Sequence, residues 1–169
     1  VAQSSLRPTT VKERVIAQSQ QIVRVDEEID DYVSGIFEEK MLHNLQSLVG
    51  NIDVVVVSDY AKGVVTKRLM ENLIRNAKLL GKPVIIDPKP KNKSFYTGCD
   101  LITPNLSEAK AMVDGFGDLN QLCMKIRDQL DCNVLLTLGE CGMKLLDKKG
   151  FEYNFDAVTK GVHDVTGAG

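Results

Sequence analysis

The chain has 169 residues, a formal net charge of −2 and no tryptophan. That length suits one domain able to bury roughly 70% of its unfolded surface. The mild acidity argues against a nucleic-acid-binding or anionic-membrane surface. No apolar run reaches the ~18 residues of a membrane span, and the first residues lack a signal-peptide pattern, so a cytoplasmic protein is expected. Cys99, Cys123, Cys132 and Cys141 form no C-x-x-C pair and have no histidine at zinc spacing, which predicts reduced, unpaired thiols.

In chain order, a polar segment to Pro8 leads into two β-rich runs, Thr10–Ile16 and Gln21–Asp26, with Gln18 to Gln20 as the loop of a hairpin. The acidic stretch Asp26 to Asp31 reads as a solvated linker. A helix is expected over Phe37–Val49, with Met41, Leu45, Leu48 and Val49 on its apolar face. Val54–Val57 reads as a strand buried on both faces, ending in the polar loop Ser58 to Gly63. Thr66 is placed to cap a helix whose stripe is Met70, Leu73, Ile74, Ala77 and Leu80, and Gly81 with Pro83 ends it. Val84–Ile86 is a second buried strand, followed by Asp87, Pro88, Lys89 and Pro90. Cys99–Thr103 is a third, after which Pro104 to Glu108 opens a short helix through Val113. Leu119, Leu122, Ile126 and Leu130 mark another helix. Asn133–Leu138 is a fourth strand running into Gly139 and Gly142. Met143–Leu146 and Phe151–Tyr153 flank a hairpin turn at Asp147 to Gly150.

Strands alternating with helices predict an α/β fold with a doubly wound, mostly parallel sheet flanked by helices, carrying an N-terminal β-hairpin. Ligands of such sheets bind beyond the carboxyl ends of the strands. Asp59, Lys62, Asp87, Lys89, Asn105, Glu108 and Gly139 all sit in loops at such ends and are expected to converge on one rim. Asn105 and Glu108, three apart at a helix start, could present an amide and a carboxylate to phosphate-bound Mg²⁺ held through water, or form a capping box. The closing stretch, Asp164, Val165, Thr166, Gly167, Ala168, Gly169, offers bare backbone N–H donors suited to an anion, and a glycine tail is the alternative. Neither a P-loop nor a dinucleotide fingerprint is present. His43, on the helix expected over Phe37–Val49, reads as a surface residue, and His163 as structural.

Taken together, Pro104-Asn105-Leu106-Ser107-Glu108, Thr137-Leu138-Gly139 with Gly142, and Asp164 to Gly169 resemble, in order, the motifs of the ribokinase-like (PfkB) sugar kinases. Arg7 to Arg14, Ser58 to Gly63 and Ile86 to Lys89 narrow the likeness to the heptose 7-phosphate kinases of that family, over essentially the whole chain. The resemblance implies ATP-dependent phosphorylation of D-glycero-β-D-manno-heptose 7-phosphate at its anomeric hydroxyl, in the ADP-heptose route to lipopolysaccharide. Asn105, Leu106, Ser107, Glu108, Thr137, Gly139 and Gly142 would serve ATP and Mg²⁺, with Glu108 and Asn105 near the metal. Gly167, Ala168 and Gly169 would form the anion hole, and Asp164 a monovalent-cation (K⁺) loop. Lys12, Arg14, Asp59 and Lys62 would meet the sugar phosphate, and Lys89 the transferred group. The family's base is an Asp following the position of Gly169, and its first strands precede Val1. The sequence is therefore expected to be the central part of a kinase domain, inactive alone, from a homo-oligomeric parent. Another PfkB-type sugar kinase, or a non-catalytic nucleotide-binding module, is the alternative reading.

Overall fold

The structure is a computed structural model and describes residues 7, 9–17, 20–113 and 117–157. The first two strands, β1 (Val11–Ala17) and β2 (Gln20–Glu27), pair antiparallel as a ribbon separate from the main sheet. Their register sets Lys12 against Asp26 and Arg14 against Arg24, and a bulge falls between Val15 and Ile16. Side chains alternate across a strand, so Lys12, Arg14, Arg24 and Asp26 share one face of the ribbon. Val11, Val15, Val23 and Val25 share the other, where all four are about half exposed.

Helix α1 (Ile36–Val49) leads to β3 (Val55–Ser58), followed by α2 (Lys67–Leu79) and β4 (Val84–Asp87). A 3-10 helix over Pro90–Tyr96 precedes β5 (Leu101–Ile102), and α3 (Leu106–Met112) and α4 (Leu119–Leu130) precede β6 (Asn133–Thr137). The last strands are β7 (Met143–Leu146) and β8 (Glu152–Phe155). The six main strands lie in the order β3-β4-β5-β6-β7-β8, parallel through β6 and antiparallel thereafter. This is the expected α/β architecture: a mostly parallel sheet flanked by helices, with an N-terminal hairpin. The order never reverses among the described strands.

The core lies between the helices and one face of the sheet. Val84, Ile86, Ile102, Val134, Leu136 and Leu146 are buried there against Met70, Leu73, Ala77, Leu122 and Ile126. Each of the Val, Ile, Leu and Met side chains among them contributes about 1.5–3 kcal/mol over leaving it in water. Thr66 caps α2 as the sequence predicts, its hydroxyl accepting from the Leu69 N–H at 3.1 Å. Leu80 leaves the predicted stripe because it is the exposed C-cap residue. In α1 the buried positions are Leu42 and Val49, and Leu48 faces out, one position off the predicted face. The expectation that Val54–Val57 is buried on both faces fails: Val55 is buried but Val56 is 67% exposed. The reason is placement, since β3 is the edge of the described sheet and Val56 points away from the core cluster that takes in Val55. Cys99, Cys123 and Cys132 are buried, Cys141 is exposed, and all four are free thiols.

Candidate active site

The parallel register brings the loops leaving β3, β4, β5 and β6 to one end of the sheet. Backbone bonds stitch that rim together: Asp59 N–H donates to Asp87 O at 3.0 Å, and Thr103 N–H to Ile86 O at 2.9 Å. Thr137 N–H donates to Pro104 O at 3.0 Å, and an isolated bridge pairs Asn105 with Thr137. Asp59, Lys62, Asp87, Lys89, Asn105, Glu108, Thr137 and Gly139 therefore do share one rim.

A cleft of about 620 Å³ opens where the ribbon overhangs the end of β3. Thr10 and Lys12 of the ribbon arm line it, together with Ser58, Asp59, Tyr60, Lys62, Val64 and Val65. Three of the four residues assigned to the sugar phosphate thus meet in one cavity. Arg14 lies two positions beyond Lys12 on the same ribbon face, opposite Arg24, and is not part of the cleft wall. Lys12 Nζ stands 3.8 Å from Asp26, while Lys62 Nζ is bound by Glu28. Asp26 and Glu28, read from sequence as solvated linker residues, are instead half-buried counter-ions of the two lysines.

Asp59 lines the cleft but is enclosed by partners of its own. Its side chain is only 2% exposed and every oxygen is taken. Oδ1 accepts from the Ala61 N–H at 2.7 Å; Oδ2 accepts from Asn92 Nδ2 at 2.7 Å and from the Tyr96 hydroxyl at 2.6 Å. The Tyr32 hydroxyl donates in turn to Asn92 Oδ1 at 2.5 Å, and Lys89 N–H donates to the Tyr96 oxygen at 3.0 Å. Burial, then the neighbouring Asp59 carboxylate, pushes the Tyr96 phenol far above its ordinary range, so it stays a neutral donor. A carboxylate buried this way is a hub that shapes the cleft floor. Asn92, Tyr96 and Tyr32 carry no motif. The burial of Asn92 and Tyr96 is the only signal, and it is invisible before folding.

At the start of α3 the capping box is realised. Asn105 Oδ1 accepts from Glu108 N–H at 2.9 Å, and Glu108 Oε2 accepts from Asn105 N–H at 3.1 Å. Glu108 Oε1 pairs with Lys89 Nζ at 2.5 Å. That bond holds Lys89 above the usual lysine range and keeps it cationic. With both carboxylate oxygens committed, Glu108 fits a cation met through water and not one ligated directly. Leu106 points its side chain into the core, so only its backbone can serve a nucleotide, whereas Ser107 is exposed.

Beyond β6, Leu138 N–H donates to Gly142 O at 2.8 Å and closes a short 3-10 turn over Gly139–Cys141. A Cβ on Gly142 would lie 2.0 Å from Phe155 O at a φ of +85°, so the strand that follows is what dictates this glycine. Gly139, at φ +57°, has open space where its Cβ would be and is the glycine a ligand could approach. Asp164, Gly167, Ala168 and Gly169 lie outside the described residues, as does His163.

A family model for pfkB family carbohydrate kinases matches residues 5–169. The chain belongs to that family. It is 40% identical over 169 residues to the bifunctional protein HldE of Wolinella succinogenes, covering 96% of this chain and 35% of that protein. It is 38% identical over 174 residues to HldE of Geotalea uraniireducens, covering 100% of this chain and 36% of that protein. The chain thus spans about a third of the length of these relatives. Among solved structures, Arabidopsis thaliana ribokinase complexed with ribose and ATP superposes with a TM-score of 0.68 at 19% identity, covering 94% of this chain and 52% of that one. Escherichia coli phosphofructokinase-2 in complex with fructose-6-phosphate gives 0.67 at 18%, covering 94% and 54%. At these identities the structural likeness establishes the fold, which is ribokinase-like.

Proposed function

We propose that the protein carrying this chain is an ATP-dependent sugar kinase that phosphorylates D-glycero-β-D-manno-heptose 7-phosphate at its anomeric hydroxyl, as part of ADP-heptose and lipopolysaccharide synthesis in the cytoplasm. The observation that carries this reading is the cleft that gathers Lys12 and Lys62 on the same rim as the α3 N-terminus. A phosphate already on the sugar would exchange with Asp26 and Glu28 for the two ammonium groups. Arg14, further along the ribbon, would meet the same anion. Asp59 contributes by fixing the loop that carries Lys62.

The nucleotide end of the rim is formed by Asn105, Ser107, the Leu106 backbone, Glu108, Thr137 and Gly139, with Gly142 closing the turn. Mg²⁺ held through water near Glu108 and Asn105 would offset phosphate charge. Lys89 is poised to stabilise the charge that spreads over the transferred oxygens. Gly167, Ala168 and Gly169 would supply the backbone anion hole at a helix start, and Asp164 a site for K⁺. A solved structure of Escherichia coli phosphofructokinase-2 contains potassium. The half-exposed valine face of the ribbon supports a homo-oligomer, and Escherichia coli phosphofructokinase-2 has been solved as a tetramer.

A coupled kinase assay on the full-length protein with a panel of phosphorylated sugars tests the assignment. Heptose 7-phosphate should give the highest kcat/KM. Preference for fructose 6-phosphate would reassign the sugar within the family. ATP binding without turnover on any sugar would favour a non-catalytic nucleotide-binding module.

A further inference from the structure

Among the described side chains that anchor the root of the ribbon overhanging the cleft, Arg7 reaches the most backbone carbonyls. Arg7, which precedes β1, donates from Nη1 to Asp31 O at 2.7 Å and from Nη2 to Ile29 O at 2.6 Å, and also from Nη2 to Lys62 O. These carbonyls belong to two segments: Ile29 and Asp31 follow β2, and Lys62 lies in the loop after β3. A guanidinium carries five N–H donors in a planar fork, which is why one such group can serve several carbonyls at once. The same junction is tight for a second, independent reason. Gly63 adopts φ +74°, and a Cβ there would fall 1.8 Å from Asp31 O. Val33 N–H closes the contact by donating to Gly63 O at 2.9 Å. Arg7 is not part of the cleft wall, but each segment it ties leads directly to a lysine of the cleft: Lys12 on the ribbon, Lys62 on the floor.

We infer that Arg7 is a positioning residue that fixes the spacing between Lys12 and Lys62 by strapping both ends of the ribbon to the cleft floor, and so sets the affinity of the cleft for a phosphorylated ligand. This rests on the sugar-phosphate reading of that cleft. Losing the strap frees the ribbon to swing, separates the two ammonium groups and leaves the adenine-nucleotide end of the rim untouched.

The test uses the full-length protein with three variants: Arg7→Ala, Arg7→Lys and Gly63→Ala. The last presses the same junction apart without touching Arg7. KM for the sugar phosphate should rise about tenfold or more in Arg7→Ala and Gly63→Ala, on the scale of one lost charge-assisted hydrogen bond. It should rise less in Arg7→Lys, and KM for ATP should change less than about twofold. Amide exchange should accelerate in 11–17 and 20–27 while β4, β5 and β6 keep their protection. Unchanged sugar-phosphate KM with an equally protected ribbon would overturn the inference. So would a parallel rise of both KM values with loss of protection throughout the sheet. If the unaltered protein phosphorylates no sugar phosphate, the functional reading fails, and the exchange measurement still decides whether Arg7 straps the ribbon.

Discussion

Asp59 and Glu108 are both carboxylates in loops at the carboxyl end of a parallel sheet, yet they serve opposite ends. Asp59 is sealed beneath the rim and accepts from Ala61, Asn92 and Tyr96. Glu108 stands at the rim, sharing itself between a helix cap and one ammonium group. The first is held by neutral donors that exist to hold it, so removing it leaves the donors stranded. The second is held by a part-exposed lysine that a ligand could recruit. Position in the sequence nominates a residue for chemistry, but the number and burial of its partners decide whether it is free to act.

The sharpest way to break that contrast is to remove each carboxylate. Asp59→Ala strands the buried Asn92 amide and Tyr96 hydroxyl, and should cost about 3–4 kcal/mol in urea unfolding. Glu108→Gln keeps a side chain able to cap the helix and should cost under about 1 kcal/mol. Its larger effect should appear in kinetics, as a rise in KM for MgATP. If Asp59→Ala unfolds no more readily than Glu108→Gln, the hub does not exist as described.

The two glycines after β6 sharpen the distinction between structural need and ligand access. Gly142→Ala meets Phe155 O and should destabilise by about 2–3 kcal/mol, whereas Gly139→Ala meets open space and carries only the penalty of its positive φ, about 1 kcal/mol. Conversely, Gly139→Ala should be the one that weakens nucleotide binding when its stability loss is allowed for. Isothermal titration with an ATP analogue alongside thermal unfolding separates the two effects.

These contrasts also mark how far the residues alone could be read. The strand and helix order was legible because each strand is a short apolar run and each helix has a stripe with caps. Thr66 caps where predicted, and Asn105 forms the capping box that stood as one of its two readings. The rim was legible because parallel topology forces successive loops to one end. What a linear reading could not supply was depth. The Val54–Val57 run looks doubly buried, yet its outer side depends on what lies over the sheet. Asp26 and Glu28 look like solvated acids until the ribbon register sets them beside lysines. Asn92 and Tyr96 have no periodicity or motif, because their role arises only when three loops close over Asp59.

The smallest predicted effect is one of pH. The Tyr96 phenol, ordinarily near 10.0, is raised in the folded protein first by burial and then by its bond to Asp59. Folding therefore favours the protonated form. The stability this lends is fully present below pH ~10 and is lost as pH climbs above it, where the unfolded chain ionises and the folded one does not. Tyr96→Phe should be less stable than the parent at pH 8 by about 1 kcal/mol, the loss of one hydrogen bond to a buried acceptor. Above pH 10 the two unfolding curves should converge by up to ~1.4 kcal/mol per pH unit, since only the parent carries this titration. A gap that stays constant from pH 8 to 11 would mean that the Tyr96 hydroxyl ionises as readily inside the fold as outside it, and that the hub beneath the cleft is wet.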